Sequence, residues 1–223
     1  MDRHHHTRPS ARPDKQFHGQ QLADRLVLPD GARPTIYRVP PAGQPGCLTP
    51  QLAQLLLDDH TEVGDVVLDI DDDIAFAATA AAASRRHHAL GGAHHLAEMS
   101  HAAGYLDLIL LRWPRPAVNP QWLLTACRSL LGAAGRLVIA ISVDGDQRVA
   151  HLTALSGAAT AAGLYTIRHI AAVAPGVTSS SNADVAVSGA VPGRQRHRDA
   201  ATHPHTELLV LGVLNAVKAT GDE

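Results

Sequence analysis

Apolar and polar positions alternate with different periods along this chain, and the changes of period mark its predicted elements. Three continuous apolar runs are typical of parallel strands buried on both faces: 66–69, 106–111 and 136–142. Three helices are predicted from alanine content and from leucines at helical spacing: 74–84, 120–131 and 147–162. Strands and helices therefore alternate, as they do in α/β proteins with a parallel sheet.

The two ends of this pattern differ from its middle. Thr49-Pro50 supplies an N-cap and a first-turn proline, which predict a helix of about ten residues. Residues 165–173 and 207–214 predict two final strands with no helix between them, and these imply an antiparallel pair. We therefore predict an α/β, Rossmann-like doubly wound, mostly parallel sheet with an antiparallel edge hairpin at the C-terminal end.

Composition divides the chain into a domain with two polar ends. Residues 1–46 are rich in Pro, Arg and His and predict a partly disordered leader arm, apart from a short strand at 35–37. The stretch 47–217 predicts one domain, with a mobile loop over 175–204 that is rich in Ser, Gly, Pro and Arg. Residues 218–223 form a polar tail.

Charge and cysteine content restrict the classes of function. The formal net charge of -2 gives no overall attraction to nucleic acid or to acidic membranes. Two cysteines are too few for a disulfide framework, and no apolar stretch is long enough to span a bilayer. We therefore expect a cytoplasmic protein with no membrane association.

The stretch 66–76 reads as a buried strand, an acidic turn and a helix. That order builds nucleotide pockets in doubly wound proteins, in which glycines let the turn approach the ligand. Here Asp69, Ile70, Asp71 and Asp73 stand in the turn. The cluster Asp71 to Asp73 is open to two interpretations, helix capping and a divalent cation site, and one carboxylate could also occupy the place of a ligand's own carboxylate.

Several segments resemble class I S-adenosylmethionine-dependent methyltransferases, and in particular the amino-group DNA methylases. Gly64-Asp65-Val66-Val67-Leu68-Asp69 resembles their opening motif, and Tyr105 to Leu110 resembles the strand before their catalytic motif. Residues 123–131 and 135–139 are similar to a later helix and strand of the family, and 205–210 to its closing strand. The resemblance implies the predicted fold and S-adenosylmethionine as cofactor.

The functional positions implied by the resemblance carry unusual residues. Asp71, Asp73 and Ala75 stand where the cofactor turn has glycines, and Gly91 stands where the family has an acid for the ribose hydroxyls. The amino methylases place Asp, Asn or Ser, then Pro-Pro and an aromatic residue, at their catalytic motif. This chain has Arg112, Trp113, Pro114 and Arg115 there, and a guanidinium cannot accept a hydrogen bond from an amine.

Two further clusters have both a functional and an ordinary explanation. If 93–103 is helical, His94, Glu98 and His101 share one face and could hold a transition metal. A solvated His-rich helix is the ordinary explanation, and we expect no metal. Arg194, Arg196 and Arg198 form a basic patch that either contacts DNA phosphates or is merely solvated.

The first hypothesis is a methyltransferase-fold protein that has lost catalysis and serves as a binding or regulatory module for an unknown protein partner or for DNA, with no cofactor. The alternative is a divergent S-adenosylmethionine-dependent methyltransferase, similar to DNA methylases. A third hypothesis is a metal-dependent hydrolytic or sensing protein.

Overall fold

The computed structural model describes residues 35–40, 47–143, 147–173 and 205–214. Within these ranges seven strands, four α-helices and one 3₁₀ segment follow each other along the chain. Their bounds are β1 Thr35–Arg38, α1 Pro50–His60, β2 Val66–Asp69, α2 Ile74–Ala82, β3 Arg86–Ala89, the 3₁₀ segment Ala93–Ala102, β4 Leu106–Trp113, α3 Pro120–Leu130, β5 Leu131–Ile141, α4 Gln147–Ala161, β6 Leu164–Val173 and β7 His205–Val213.

All seven strands join one sheet, in the order β1-β6-β7-β5-β4-β2-β3. Neighbours are parallel except at β7, which is antiparallel to both β5 and β6. The prediction of a doubly wound, mostly parallel sheet with a C-terminal antiparallel pair is confirmed. The pair lies one strand inside the edge, because the short strand β1 adds alongside β6.

Apolar side chains cover both faces of the sheet, which explains why its strands read as continuous apolar runs. Leu68 and Ile109 point to the face that α3, α4 and the 3₁₀ segment cover. Val67 and Leu108 point to the opposite face, against α1 and α2. Because successive strand residues alternate between faces, a polar residue inside such a strand is buried whichever face it points to.

Local sequence signals set where most helices begin. The Thr49 side chain accepts a hydrogen bond from the backbone N–H of Leu52 at 3.2 Å and caps α1. Asn119 Oδ1 accepts from Gln121 N and Trp122 N, at 2.8 and 3.2 Å, and caps α3. Strand β5 starts earlier than the predicted 136, because Leu131 already pairs with Leu106 before the register shifts.

No helix in the described part of the chain is both long and apolar enough to cross a membrane. The predictions for most of the leader arm, for the loop 175–204 and for the tail 218–223 lie outside the described residues.

Candidate functional site

The switch point of the sheet lies at the carboxyl ends of β2 and β4. From β2 the chain first continues to β3 on one side and then to β4 on the other, and doubly wound sheets bind their ligands in the crevice that this reversal opens. The residues after β2 meet the end of β4 there. Ile70 N donates to Leu110 O at 3.0 Å, and Arg112 N donates to Asp71 Oδ2 at 2.6 Å.

Asp69 shapes the turn that enters this crevice. Its side chain is fully buried, and its two oxygens accept from Asp71 N at 2.9 Å and from Asp73 N at 2.5 Å. Burial raises the pKa of Asp69, while these two hydrogen bonds oppose that rise. Asp69 therefore fixes the backbone of the turn at the cost of burying a carboxyl group.

The residue with glycine-like backbone geometry in this turn is Asp72, whose φ is +56°. Asp71 and Asp73, which stand where the resembled family has glycines, have no positive φ, so neither is strained there. Asp is among the few residues other than Gly that tolerate the left-handed region, so the turn forms without glycine. Asp72 is exposed at the tip of the turn.

Asp73 is the N-cap of α2. Its Oδ1 accepts from Ala75 N at 3.0 Å and from Phe76 N at 3.1 Å, and its Oδ2 accepts from Leu48 N at 3.2 Å. The hydrogen bonds from Ala75 N and Phe76 N support the capping interpretation of the acidic cluster. They also use N–H groups that the helix N-terminus would otherwise offer to an anionic ligand.

Asp71 forms ion pairs with both arginines of the catalytic-motif positions. Arg115 Nη2 donates to Asp71 Oδ1, and Arg112 Nε lies 3.9 Å from the same oxygen. The Arg115 and Asp71 side chains are only 14% and 17% exposed, so solvent screens this pair weakly. The negative charge of Asp71 is therefore offset within the crevice.

The residues at the four predicted catalytic-motif positions differ in where they lie and in what they contact. Arg112 Nη1 donates to Cys47 Sγ and Nη2 to Asp71 O, both at 3.3 Å, while the buried Nε has no hydrogen-bond partner. Trp113 is buried, and its indole N–H donates to His151 Nδ1 at 3.1 Å. Pro114 is exposed. The structure thus brings Arg112 and Arg115 to the crevice and packs Trp113 into the core.

The crevice is closed in this structure, because the space between its lining residues does not admit even a water molecule. The lining consists of Leu48, Asp69, Asp71, Asp73, Leu110, Arg112 and Ala140. Small-molecule sites usually measure roughly 300–1,000 Å³, so a cofactor enters here only if the Arg112–Arg115 segment moves.

Gly91 follows the end of β3 at the same edge of the sheet, with φ of +66°. It offers no side-chain acceptor for ribose hydroxyls. An acid introduced there would have open space around its Cβ but a strained backbone.

The predicted helix over 93–103 is a 3₁₀ segment, Ala93–Ala102. With three residues per turn instead of 3.6, His94, Glu98 and His101 no longer share one face. Glu98 instead contacts His95, whose Nδ1 lies 3.3 Å from Glu98 Oε1. Within the described ranges, no three His, Cys, Asp or Glu side chains are placed so that they could hold a metal ion. Arg194, Arg196 and Arg198 lie outside those ranges.

A buried charged cluster close to this edge was not predicted from the sequence. Glu207 Oε1 accepts from Arg148 Nε at 2.5 Å, and Glu207 Oε2 lies 3.2 Å from His169 Nε2. The signal available was Glu207 itself, an acid at the start of the apolar strand 207–213. Its partners lie on α4 and β6 and could not be identified without the topology.

No protein-family model matches the sequence, and no curated protein matches it. Several solved structures are similar in fold. Geranyl diphosphate methyltransferase in complex with S-adenosylmethionine aligns at 11% identity over 55% of this chain and 67% of that one, with a TM-score of 0.40. The geranyl diphosphate C-methyltransferase of Streptomyces coelicolor A3(2) aligns at 13% identity over 71% and 83%, with a TM-score of 0.40. The antibiotic-resistance methyltransferase Kmr aligns at 17% identity over 72% and 93%, with a TM-score of 0.39.

The three similar structures are methyltransferases, at 11–17% identity. Two of them contain S-adenosylmethionine or S-adenosylhomocysteine, whereas no cofactor was expected for this chain from the sequence. The physical premise of that expectation does not hold in this structure. Asp71 and Asp73 were expected to repel the cofactor carboxylate, but arginines offset the charge of Asp71 and three backbone N–H groups surround that of Asp73.

Proposed function

We propose that this protein is a divergent S-adenosylmethionine-dependent methyltransferase that binds its cofactor in the crevice outside the carboxyl ends of β2 and β4. The observation that carries the proposal is the Asp69–Asp73 turn, which lies at the switch point of the sheet and leads from a buried strand directly into α2. Doubly wound sheets bind nucleotides at this place.

The residues of the chain have separate roles in this proposal. Asp69 holds the turn in a fixed conformation through Asp71 N and Asp73 N. Arg115 offsets the charge of Asp71, and Arg112 offers an unpartnered donor to the cofactor's carboxylate. When bound, S-adenosylmethionine supplies an electrophilic methyl group.

The amino-group chemistry of the DNA methylases does not suit these side chains. An amine that is to be methylated needs an acceptor for its N–H groups, whereas Arg112 carries only donors. We therefore place the methyl acceptor outside the amine class.

A second candidate is a non-catalytic binding or regulatory module that acts on a protein partner. Arg112 and Arg115 stand at the positions that the amino methylases use for catalysis. Both contact Asp71 instead, and this observation favours the second candidate. DNA contact through Arg194, Arg196 and Arg198 stays part of this candidate. Cytoplasmic location stays a proposal too.

Calorimetric titration of the full chain with S-adenosylmethionine and S-adenosylhomocysteine tests the proposed function. We expect saturable binding that weakens about tenfold or more in Asp69→Asn, because the amide nitrogen cannot accept the second backbone hydrogen bond of the turn. Asp65→Asn is the matched control. Asp65 caps a turn before β2, at the opposite end of the strand, through a 2.8 Å hydrogen bond from Glu62 N. Absence of saturable binding to either ligand would refute the proposal.

Release of S-adenosylhomocysteine from S-adenosylmethionine then separates the two candidates. Turnover in the presence of a small-molecule methyl acceptor supports the methyltransferase. Tight binding without turnover, together with specific retention of a protein partner, favours the regulatory module.

A further inference from the structure

The face of the sheet on which α1 and α2 pack is covered only in part by the described residues. Its buried apolar core ends at Ile170 in β6 and at Val210 in β7. The amino-terminal half of β6 lies beyond that limit, and there Tyr165 is 44% exposed and Ile167 is 37% exposed. Two large apolar side chains of a seven-stranded sheet are therefore open to solvent on a face that is otherwise packed.

Tyr165 and Ile167 form one continuous surface across Gly212. Tyr165 pairs with Gly212 in the ladder between β6 and β7. A Cβ atom on Gly212 would lie 2.6 Å from Ile167 Cδ1 and 3.1 Å from Tyr165 Cε1. Both side chains therefore lie across the backbone of β7. We call the surface of Tyr165, Ile167 and Gly212 the β6 patch.

The outer edge of β6 is open beside this patch. Strand β1 pairs with β6 only over Ile170–Val173, so among the described residues no strand lies on the outer side of 164–169. Apolar side chains beside an open strand edge favour pairing with other chains, and natural proteins usually cover such an edge. The β6 patch therefore needs a covering segment.

The chain that precedes β1 is long enough to supply this segment. Thr35, the first residue of β1, pairs with Ile170, and the two strands are parallel. The amino end of β1 therefore points toward the amino-terminal half of β6. Ile170 and Tyr165 lie about 17 Å apart along the strand, and an extended linker over 29–34 spans up to about 20 Å.

Residues 22–28 match an apolar surface best among the stretches outside the described ranges. Their large apolar side chains are Leu22, Leu26, Val27 and Leu28. The stretch 174–204 joins Val173 to His205, which pair at the far end of β6 and β7 from the patch. The tail 215–223 has a single large apolar side chain.

We propose that residues 22–28 bind across the β6 patch and cover the open edge of β6. The charged side chain at the border of the patch does not oppose this, because Arg168 Nη1 donates to Asp59 Oδ2 at 3.0 Å and to Tyr37 Oη at 3.1 Å. Removal of leucine and valine side chains from water stabilises the bound segment. The inference is independent of the proposed function, since the crevice opens at the carboxyl ends of β2 and β4.

The rate of thiol labelling at position 167 tests this cover in the full chain. Ile167→Cys in a Cys47→Ser background gives one reactive thiol, because Cys127 is buried and its pKa is raised to about 12. Adding Leu26→Asp should raise the labelling rate about tenfold or more, since a carboxylate opposes burial against apolar surface. Val217→Asp, in the tail, is the matched control and should change the rate less than about twofold.

Disulfide formation between Leu26→Cys and Ile167→Cys, again with Cys47→Ser, identifies the occupant. We expect a cross-link within one chain that forms about tenfold faster than one between Val217→Cys and Ile167→Cys. The control is strict. The tail follows Leu214, whose N–H donates to Gly163 O at 3.0 Å just before β6, so proximity along the chain favours the cross-link from position 217.

Three results would refute the inference. One is a labelling rate that Leu26→Asp leaves unchanged, and another is a cross-link from position 217 that forms as fast as that from position 26. The third is a cross-linked species of twice the chain mass that depends on protein concentration, because it would assign the β6 patch to a second copy of the chain.

Amide hydrogen exchange replaces the thiol experiments if the cysteine variants do not fold. In the otherwise unchanged chain, Leu26→Asp should speed exchange in 164–169 about tenfold or more relative to the parent, whereas Val217→Asp should not. Equal exchange in the parent and in Leu26→Asp refutes the cover. None of these measurements uses S-adenosylmethionine or its product, so their outcome is separate from that of the calorimetric titration.

Discussion

The backbone N–H of Arg112 donates to Asp71 Oδ2 at 2.6 Å and joins two residues that are 41 positions apart. Arg115 binds the other oxygen of the same carboxylate. The end of β4 and the turn after β2 therefore form one connected unit at the ligand-binding edge of the sheet. Because an ion pair holds this unit together, its stability depends on two charges that neither strand needs for its own pairing.

A double-mutant cycle on Asp71→Asn and Arg115→Met measures this connection. The pair is mostly buried, so we expect each single variant to lose about 2 kcal/mol of unfolding free energy and the coupling energy to be about 1–2 kcal/mol. The control cycle uses Asp59 and Arg168, whose side chains are 38% and 40% exposed, and its coupling should stay below about 1 kcal/mol. Equal coupling in the two cycles would show that burial adds nothing to the Asp71 pair.

Asp73→Ala removes the cap of α2 and the acceptor for Leu48 N. We expect a loss of about 2 kcal/mol in unfolding free energy, measured by urea denaturation. Asp73→Asn keeps one acceptor oxygen and should cost less than about 1 kcal/mol. Asn119→Ala, at the exposed cap of α3, gives the cost of a cap alone, about 1 kcal/mol. If Asp73→Ala loses less unfolding free energy than Asn119→Ala, the hydrogen bond from Leu48 N to Asp73 adds no stability.

Stability should depend on pH through Asp69, whose pKa is raised by burial. A carboxyl with a raised pKa in the folded state binds its proton more tightly there than in the unfolded chain. Its ionisation therefore removes stability as the pH rises above the ordinary value of about 3.9. Relative to Asp69→Asn, the parent protein should lose unfolding free energy between about pH 4 and 7. A difference between the two proteins that is constant over this range, or that changes in favour of the parent, would disprove the expected shift.

The two cysteines should differ sharply in reactivity. Burial raises the pKa of Cys127 to about 12, so its thiol is neither ionised nor accessible in the native state. Cys47 is only partly buried. We expect a thiol reagent such as a chromogenic disulfide to modify one thiol in the native protein and two after denaturation. Cys47→Ser should abolish the native reaction, and a persisting reaction would assign it to Cys127.

Glu207→Leu should be among the most damaging single substitutions, because it leaves the Arg148 charge buried without the Glu207 carboxylate. We expect a loss of about 3–5 kcal/mol of unfolding free energy. Combining Glu207→Leu with Arg148→Met removes both charges and should recover part of this loss. If the double variant is no more stable than the single one, packing and not charge burial explains the damage.

Sequence reasoning was most successful where the interaction is local. The caps Thr49 and Asn119 each bind N–H groups two or three residues ahead, and residue types at such short spacing can be read directly from the chain. Within the acidic turn it left the backbone conformation open, because three identical residues in a row do not show that Asp72 takes the left-handed one.

The location of the candidate site could be predicted from the sequence, but the contacts of its charged side chains could not. Asp69 and Arg112 were identified as functional positions, yet the aspartates were expected to stay uncompensated. The contacts that compensate Asp71 come from residues 41 and 44 positions away, and those of Glu207 reach 59 and 38 positions back. Such pairs depend on strand order, which no local pattern contains.

The position of β7 has a consequence for synthesis of the chain. Since β7 lies between β5 and β6 and forms antiparallel ladders with both, the sheet cannot close while residues 205–213 are still inside the ribosome. Until then the nascent chain carries two apolar strands with unpaired inner edges, which are prone to pair with other chains. Its most vulnerable moment therefore comes just before residues 205–213 emerge, when the buried apolar residues of β2, β4, β5 and β6 have already been made.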